Sequence, residues 1–570
     1  MLKTLIPASA WLRSYPKTFL SGDLNAGFTV GVMLIPQGLA YALIAGLPPI
    51  YGLYAALLPL FVYAFFGTSG QLAVGPVAMV SLLVATGVGD LATSGSDEYI
   101  QLALLLAFMV GVIQLVLGLL RFGFITNFLS HPVLSGFTSA AALIIGLNQL
   151  KHLIGVPIPR SNSVLEILSF AVQNLSQVHV ITLAIGGGGI LLILGVKRFA
   201  PRLPGGLLAV VLATLAVAFG NLDSLGVAIV GSVPAGLPAV SASFLNWDSM
   251  SALLPIALAI SLVGYMESIA VAKSFASKNR TSVDPSQELV ALGLANVAGS
   301  FMQSYPTTGG FSRSAVNDQA GAKTPLASMI SASVVGLTLL FFTPLFTFLP
   351  KALLASIVMV AVAGLIDIKE VRYLWKANRT DFGLLLLTFA ATLAFGIEEG
   401  ILIGVVVSIL TFVHQASRPH MAQLGRVEGT DVYRNLERYP DAEITNGVAV
   451  FRIDASLFFG NVEVMKEGLQ TLLNKRTDLQ VLVLDLYPVN RIDSTALHAL
   501  SDLHRLLADR EMRLLFSGVK GPVRDAMRKS GLVDTMGEES LFPRIQNAVD
   551  KASSLVNPYL KEDEETRRSG

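Results

Sequence analysis

The sequence predicts an α-helical polytopic membrane protein with 14 spans in a seven-plus-seven inverted repeat, followed by a small α/β domain at the C-terminus. Three observations predict this fold class. The composition is strongly apolar, and the basic residues are unevenly distributed along the chain. In addition, two apolar segments at corresponding positions of the two halves are interrupted by glycine and proline.

The composition excludes most classes of soluble protein. Of 570 residues, 53% are hydrophobic and 14% are charged, whereas about 25% are charged in an ordinary soluble domain. A single soluble core rarely grows beyond roughly 300 residues, so a chain this long and apolar requires lipid as its solvent. The net charge of +1 gives no indication of nucleic-acid binding, and the absence of cysteine excludes disulfides and thiolate metal sites.

Segments of membrane-spanning length fill the first 419 residues, since a bilayer core requires about 20 apolar residues per helix. The predicted spans lie at 24–44, 50–66, 72–88, 101–120, 124–149, 178–196, 204–220, 252–272, 287–303, 306–322, 325–348, 351–368, 382–396 and 399–416. With a cytosolic N-terminus, sixteen lysines and arginines fall on the cytosolic side and three, Lys151, Arg160 and Lys351, on the other. This bias satisfies the positive-inside rule and predicts that both termini are cytosolic.

Charge also marks the end of the membrane domain. Residues up to Pro419 contain 20 of the 40 lysines and arginines, and the remaining 151 residues contain the other 20. We therefore expect a cytosolic lead-in (1–20), a transmembrane domain (21–418), a linker (419–440), a folded C-terminal domain (441–555) and a disordered tail (556–570).

The third and tenth spans are the interrupted ones, with LAVGPVAMV at 72–80 and YPTTGGFSRSAV at 305–316. Corresponding breaks in two halves are typical of an inverted repeat whose binding site lies near the bilayer midplane. The two broken helices should therefore approach head to head, with the positive ends of their dipoles at one central point. Such a point is an anion site built from backbone N–H groups.

Local chemistry indicates where each half-helix begins. In the first break, Gly75 interrupts the chain and Pro76 suits the first position of a helix. In the second, Thr307 or Thr308 can cap the helix, and the glycines at 309–310 free the backbone to bend.

Two ionisable residues lie inside the predicted membrane domain near that point. Arg313 follows the second break within one turn, and its planar donor fork suits an oxyanion; the alternative is an internal ion pair that only fixes helix packing. Glu267 lies in span eight, near or just below mid-membrane. Its functional interpretation is a proton-accepting coupling site, its structural one is the permanent counter-ion of Arg313, and the two are not exclusive.

Uncharged polar residues complete the predicted site. The amide of Gln37 can donate to a substrate oxygen, with Tyr41 on the same helix face; interhelical hydrogen bonding is the alternative for Gln37. Ser312 lies in the first turn after the second break and can offer its N–H and its hydroxyl. The histidines have no metal-ligand spacing and no phosphate-binding loop is present, so we expect no enzyme activity, no metal and no cofactor.

The C-terminal part changes to short β-rich runs that alternate with amphipathic helices. GVAVFRID, DLQVLVLDL and MRLLFSGV are predicted strands, and STALHALSDLHRLLADRE is a predicted helix. Such alternation is typical of an α/β sandwich with a mainly parallel sheet. Without a nucleophile–base or acid–base pair, this domain is expected to contact proteins rather than to catalyse a reaction.

Three motifs spread across the chain resemble one family. DLNAGFTVGVMLIPQGLAYALIAGLPPIYGLYAALLPLFVYAFFGTSGQLAVGPVAMVSLLV resembles the opening of the SulP permeases, which include plant sulfate transporters, pendrin and prestin. YPTTGGFSRSAVN resembles their tenth span, and VLVLDLYPVNRIDSTALHAL resembles their STAS domain. The resemblance covers roughly residues 15–550. It implies a uracil-transporter-like membrane fold, an elevator-type motion and a homodimer.

The resemblance also implies site residues. The positions that match the family's substrate site are Gln37, Tyr41, Val77, Ala78, Phe311, Ser312 and Arg313. Glu267 matches an acidic position implicated in cation coupling. In the STAS motif, Thr495 follows Asp493 and Ser494 where related antagonist proteins carry a phosphorylatable serine, so Thr495 is either a regulatory phosphorylation site or part of a capped helix start.

The expected function is proton-coupled sulfate uptake across the cell membrane, with the proton as coupling ion and a cytosolic protein as a possible STAS partner. The family also transports bicarbonate, chloride, oxalate and dicarboxylates, so another anion or anion exchange is the alternative within the class. A STAS-mediated sensor or scaffold, and a channel, are alternatives from other classes.

Overall fold

The structure is a computed structural model that describes residues 6–124, 130–158, 164–200 and 205–556. It divides into two compact units, Met1–Ser408 and Ile409–Gly570. Arg160, Arg202 and residues 557–570 of the predicted disordered tail lie outside the described residues.

In the described residues of the first half of the membrane unit, the regular elements are helices and one short strand. Its helices are α1 (Ala8–Trp11), α2 (Leu20–Ile44), α3 (Ile50–Tyr54), α4 (Leu58–Phe66), α5 (Ala78–Gly89), α6 (Asp97–Leu119), α7 (His131–Asn148), α8 (Leu150–Ile154), α9 (Val164–Gln173), α10 (Val180–Phe199) and α11 (Gly205–Gly220). Strand β1 (Val74–Gly75) directly precedes α5.

The second half also consists of helices, with one short strand before a helix. Its helices are α12 (Met250–Asn279), α13 (Pro285–Phe301), α14 (Phe311–Gln319), α15 (Leu326–Leu337), α16 (Lys351–Ala363), α17 (Ile368–Ala377), α18 (Arg379–Phe395) and α19 (Ile397–Ser417), and the chain boundary between the two units falls within α19. Strand β2 (Thr308–Gly309) precedes α14, and a π-helical turn (Thr338–Phe342) continues α15.

These helices are those of a polytopic membrane protein. Among the described residues, eight helices are long and apolar enough to cross a membrane, and three shorter apolar helices occur at Ile50–Phe66, Ala78–Gly89 and Gly205–Gly220. The count of 14 spans stays a prediction. Helices α9 and α17 were not predicted, because each is a short amphipathic helix in a connection, without the long apolar run by which spans were recognised.

Close helix packing depends on small residues. A Cβ on Gly111 of α6 would lie 2.8 Å from the carbonyl oxygen of Gly293 in α13, and a Cβ on Gly31 of α2 would lie 3.1 Å from Ser331 of α15. In lipid there is no hydrophobic drive between helices, so such close van der Waals contact is a main source of association.

The C-terminal unit is an α/β sandwich. Its strands are β3 (Met421–Arg426), β4 (Tyr433–Asn435), β5 (Val448–Ile453), β6 (Val481–Asp485), β7 (Arg513–Ser517) and β8 (Leu541–Phe542), in sheet order β4-β3-β5-β6-β7-β8. Neighbouring strands from β5 to β8 are parallel, and the β3 and β4 pairings are antiparallel. The helices are α20 (Val462–Lys475), α21 (Ser494–Ala508), α22 (Gly521–Lys529), α23 (Leu532–Met536) and α24 (Ile545–Val556).

The two faces of this sheet are buried against different helices. Leu482, Leu484 and Phe516 pack with residues of α20 to α23, whereas Val481 and Val483 pack with residues of α24. Strand β6 is therefore buried on both faces, as its continuous apolar sequence predicts. The segment 419–440 departs from the predicted linker, because it contains β3 and β4, which belong to the sheet of the C-terminal unit. These antiparallel strands mix polar and apolar residues and lack a continuous apolar run.

Candidate functional site

The two chain breaks lie side by side in the membrane unit. Val74 pairs with Gly309 and Gly75 pairs with Thr308, so that β1 and β2 form an antiparallel ribbon that joins the two halves. The ribbon continues where the N–H of Gly310 donates to the carbonyl of Ala73 over 3.1 Å. The structure therefore brings the two interrupted spans together, as the inverted repeat requires.

A half-helix leaves each end of this ribbon. Val77 is the extended residue before α5, and Gly310 is the extended residue before α14. No side chain caps either N-terminus, and the first N–H groups of a helix have no partner within the helix. Both helices thus present uncapped N–H groups and the positive end of a dipole next to the ribbon, which is the arrangement that favours an anion.

Two details of the sequence prediction are wrong. Pro76 is not the first residue of a half-helix, because α5 begins at Ala78. Neither Thr307 nor Thr308 caps α14, because their hydroxyls bond elsewhere: Thr308 donates to the carbonyl of Gly264, and Thr307 bonds to Asn296. Thr308 belongs to the ribbon, and Pro76 lies between the ribbon and the extended residue Val77 that precedes α5.

The side chain of Arg313 reaches across the ribbon to the first break. It is 2% exposed. Its Nη1 donates to the carbonyl of Pro76 over 2.6 Å, and its Nη2 donates to the carbonyl of Ala73 over 3.4 Å. Its Nε is buried without a hydrogen-bond partner in the structure. Since a guanidinium has five N–H donors, Arg313 keeps donors beyond the two that hold the first break.

Glu267 lies near Arg313 but makes no ion pair with it. No salt bridge between them occurs among the described residues, and the Oε2 atom of Glu267 is buried without a hydrogen-bond partner. The two charges are still close enough to interact electrostatically. The structure thus contains no direct ion pair between Glu267 and Arg313, and both interpretations of Glu267 stay predictions.

The helix that carries Glu267 also holds the second break. The N–H of Gly309 donates to Oγ of Ser268 over 2.7 Å, and Ser268 shares a 2.6 Å hydrogen bond with the hydroxyl of Thr308. Thr308 in turn donates to the carbonyl of Gly264 over 2.5 Å. Sequence analysis missed Ser268, although a serine directly after a membrane glutamate was a signal that could have found it.

The side chain of Asn296 holds the residue before β2 through two hydrogen bonds to its backbone. Oδ1 of Asn296 accepts from the N–H of Thr307 over 2.7 Å, and Nδ2 of Asn296 donates to the carbonyl of Thr307 over 3.0 Å. The same Nδ2 donates to Gln114 over 3.2 Å. Asn296 thus binds the backbone of Thr307 as a neighbouring strand would, and this buried amide was also not predicted.

Helix α2 carries Gln37 and Tyr41, and both side chains are buried. Gln37 is 8% exposed, directly follows Pro36, and has an Oε1 atom without a hydrogen-bond partner in the structure. Tyr41 is 6% exposed and lies within electrostatic reach of both Arg313 and Glu267. The structure therefore places Tyr41 near the ionisable pair, and Gln37 lies one turn earlier in the same helix, directly after its proline.

The remaining predicted residues line the two helix starts. Val77 and Ala78 are buried at the start of α5. Phe311 and Ser312 are exposed in the first turn of α14, and the ring of Phe311 lies 6.3 Å from that of Phe275. Within one turn, α14 thus directs Arg313 inward and leaves Phe311 and Ser312 accessible.

Thr495 lies in the C-terminal unit, at an exposed position in the first turn of α21. Asp493 precedes this helix, and its Oδ1 accepts from the N–H of Ala496 over 2.9 Å. The structure thus contains the capped helix start that was one of the two interpretations of this motif.

Comparison with known proteins agrees with this architecture. The model of the sulfate permease family matches residues 20–388, and the STAS domain model matches residues 439–552. A chloroplastic sulfate transporter 4.1 of Arabidopsis thaliana is 40% identical, over 100% of this chain and 86% of the relative. A high affinity sulfate transporter 2 of Stylosanthes hamata is 36% identical, over 96% of this chain and 86% of the relative.

A solved structure has the same fold over nearly the whole chain. The murine Solute Carrier 26 family member A9 anion transporter in the inward-facing state superposes with a TM-score of 0.90 at 27% identity, covering 97% of this chain and 94% of that chain. The relatives are transporters and not enzymes. This chain belongs to the sulfate permease family of membrane anion transporters and carries a C-terminal STAS domain.

Proposed function

We propose that this protein takes up sulfate together with protons by an elevator-type mechanism. The observation that carries the proposal is the convergence of two uncapped helix N-termini, the Arg313 guanidinium and the Glu267 carboxyl around one ribbon. The relatives at 35–40% identity that are named as sulfate transporters support sulfate as the anion.

The proposed site holds the anion with backbone and side-chain donors. The first turns of α5 and α14, at Val77 and Ala78 and at Phe311 and Ser312, supply N–H groups. Arg313 supplies a full positive charge, and Gln37 and Tyr41 supply polar groups from α2. We assign no step to a metal or cofactor.

Glu267 is the proposed proton-coupling residue. Sulfate carries two negative charges at neutral pH, and Arg313 supplies one positive charge in addition to the helix dipoles. An ionised Glu267 repels the anion, whereas a protonated Glu267 does not. Anion and proton should therefore bind with positive linkage, each raising the affinity for the other by the same factor.

In the proposed assembly the protein is a homodimer in the cell membrane with both termini in the cytosol, and the STAS domain contacts a cytosolic partner. Which cellular membrane contains the protein needs a test, because one relative is named as chloroplastic. Bicarbonate or dicarboxylate transport and anion exchange are the competing functions within the family.

The deciding experiment is uptake of labelled sulfate, bicarbonate, oxalate and a dicarboxylate into proteoliposomes, with and without an inward proton gradient. We expect sulfate to accumulate, and to accumulate faster with the gradient. Preferred uptake of another anion would identify a different substrate. Currents far above the turnover of a carrier would identify a channel, and partner binding without uptake a sensor or scaffold.

A further inference from the structure

Helix α17 is a short amphipathic helix between α16 and α18, the helices that correspond to the predicted spans 351–368 and 382–396. Asp367 caps it by accepting from the N–H groups of Lys369 and Glu370, each over 3.0 Å. Residues 364–367 separate it from α16, and only Asn378 separates it from α18. Since four extended residues span at most about 14 Å, α17 stays beside the membrane surface where both helices end.

Three basic residues form a stripe on the exposed face of α17. Lys369, Arg372 and Lys376 follow each other at i, i+3 and i+7, and all three are exposed. The opposite face packs inward through Leu374, which is 5% exposed. The stripe thus points away from the protein core.

Large apolar side chains flank this basic stripe. Ile368 and Trp375 are 59% and 57% exposed on one side of it, and Tyr373 is 64% exposed on the other. Arg379 lies over the Trp375 ring at 5.9 Å, and Phe382 packs edge-on against that ring at 4.9 Å. The Trp375 side chain, near the end of α17, is therefore held in place beside the cation of Arg379.

The nearby acidic groups form no ion pair with the stripe in the described residues, because each contacts another partner. Oε1 of Glu370 lies 3.2 Å from Nδ1 of His131 in α7. Asp367 is occupied by the helix cap, and Asp381 accepts from Asn378 over 2.9 Å. In the part of the chain that the structure describes, none of the three stripe residues has an ion-pair partner.

We propose that α17 docks onto anionic phospholipid headgroups of the leaflet that faces the cytosol, an assignment that rests on the orientation given in the proposed function. A basic amphipathic helix with exposed aromatic residues lies in the interfacial plane of a bilayer, and the cytosolic leaflet carries the anionic lipids. Lys369, Arg372 and Lys376 bind headgroup phosphates, while Ile368, Tyr373 and Trp375 enter the boundary between headgroups and acyl chains. Bound lipid then anchors the connection between α16 and α18.

The test uses Trp375 as the reporter in the full-length protein. The chain has three tryptophans, so Trp11→Phe and Trp247→Phe leave Trp375 alone. The protein is placed in phosphatidylcholine nanodiscs, and brominated phosphatidylglycerol or brominated phosphatidylcholine is titrated as quencher. Each basic residue near an anionic surface contributes roughly a fivefold preference, so the brominated anionic lipid should be preferred roughly a hundredfold. Equal quenching by both lipids would overturn the proposal.

A charge variant and a matched control identify the surface. Lys369→Gln, Arg372→Gln and Lys376→Gln together should remove the preference. The control variant combines Arg524→Gln, Lys529→Gln and Lys551→Gln, which remove three exposed charges from the STAS unit. This variant should keep the preference for the anionic lipid. Equal loss in the control would show a general effect of net charge. If the first triple variant does not fold, the two-lipid comparison in the parent protein decides.

Free phosphate added at constant ionic strength separates a lipid surface from a site for soluble anions. Unchanged quenching by the brominated anionic lipid supports the lipid surface. Displacement of that lipid by millimolar phosphate would show that α17 binds soluble anions, and it would overturn the proposal.

Discussion

Nη1 of Arg313, in the second half of the membrane unit, donates to the backbone carbonyl of Pro76, in the first half, over 2.6 Å. The side chain that brings a positive charge to the site therefore also fixes the shape of the opposite chain break. Both the charge at the site and the preorganisation of the helix start therefore depend on Arg313. Alanine at this position removes both contributions, whereas lysine keeps the charge and lacks the planar donor fork.

Replacing Arg313 with alanine should abolish sulfate binding while the protein still inserts into the membrane. The substitution removes the cation and leaves the buried carbonyls of Ala73 and Pro76 without its hydrogen bonds. Lysine should retain partial binding, because an ammonium keeps the charge but lacks the planar fork. Binding is measured by equilibrium dialysis of labelled sulfate, with Arg198→Ala as an exposed control. Normal transport by Arg313→Ala would place the site elsewhere.

Replacing Glu267 with glutamine should keep sulfate binding and anion exchange but remove the acceleration by an inward proton gradient. The amide mimics the protonated carboxyl, which does not repel the anion. The measurement is sulfate uptake into proteoliposomes at constant internal pH and varied external pH. If the variant still concentrates sulfate in response to the gradient, the proton travels by another route.

Ser268→Ala should weaken sulfate binding without unfolding the membrane unit. The N–H of Gly309 loses its acceptor and the hydroxyl of Thr308 loses a partner, which costs about 1–3 kcal/mol for a buried donor and loosens the second break. The control is Ser356→Ala, which removes a buried hydroxyl bonded to Gly186 away from the ribbon. Equal effects of both substitutions on sulfate affinity would show that the loss is one of general helix packing.

Truncation after Ser417 should leave a membrane unit that inserts and remains folded, with altered dimer stability or transport rate. Spans satisfy their own backbone hydrogen bonds, and this cut leaves the whole β3–β4 hairpin with the removed part. Size-exclusion chromatography in detergent and uptake by the truncated protein are the measurements. Complete loss of folded membrane protein would contradict the division of the chain at this point.

The STAS unit should become more stable at neutral pH when Asp485 is replaced by asparagine. Burial raises the pKa of Asp485, although hydrogen bonds from Tyr487 N–H and the Ser517 hydroxyl act against this shift. For a raised carboxyl pKa, the contribution to stability is present below the unfolded pKa of about 4 and is lost as pH rises through the folded pKa. The free energy of unfolding of residues 418–556, measured with urea, should decrease less between pH 4 and pH 7 in the Asp485→Asn variant than in the parent.

Asp454 provides a contrast of opposite sign in the same unit. Partial burial alone would raise its pKa, but hydrogen bonds from Arg452 and His420 lower it below its usual range. Its contribution to stability is present above the unfolded pKa and is lost as pH falls through the folded pKa. Asp454→Asn should therefore destabilise the unit at pH 7. A stabilising effect would show that these hydrogen bonds do not form in solution.

The sequence predicted the fold class because its strongest signals are long-range patterns. Apolar runs, basic residues on one side and two corresponding interruptions require no knowledge of contacts. Such patterns could not predict the π-helical turn at Thr338–Phe342 or the strands β3 and β4. They depend on local packing and on pairing with β5, which a short mixed segment does not reveal by its composition.

For the candidate site, the types of residue in the sequence predicted which charged residues belong to it but not which groups they contact. Arg313 and Glu267 were recognisable because charges are costly inside a bilayer. Their lack of a direct ion pair was not predictable, because Arg313 instead bonds to carbonyls more than 200 positions earlier in the chain. Ser268 and Asn296 were missed for the same reason: a buried hydroxyl or amide has meaning only through the backbone group that it meets.

The ribbon of β1 and β2 has a consequence for biosynthesis. Pro76 and its partner Arg313 are 237 residues apart. At a translation rate of roughly 5–20 residues per second, the first break leaves the ribosome roughly 10–50 s before its partner exists. During that interval its carbonyl groups lie in a nascent chain without the donors that later satisfy them, so a chain released before residue 313 presents an exposed polar break to membrane quality control.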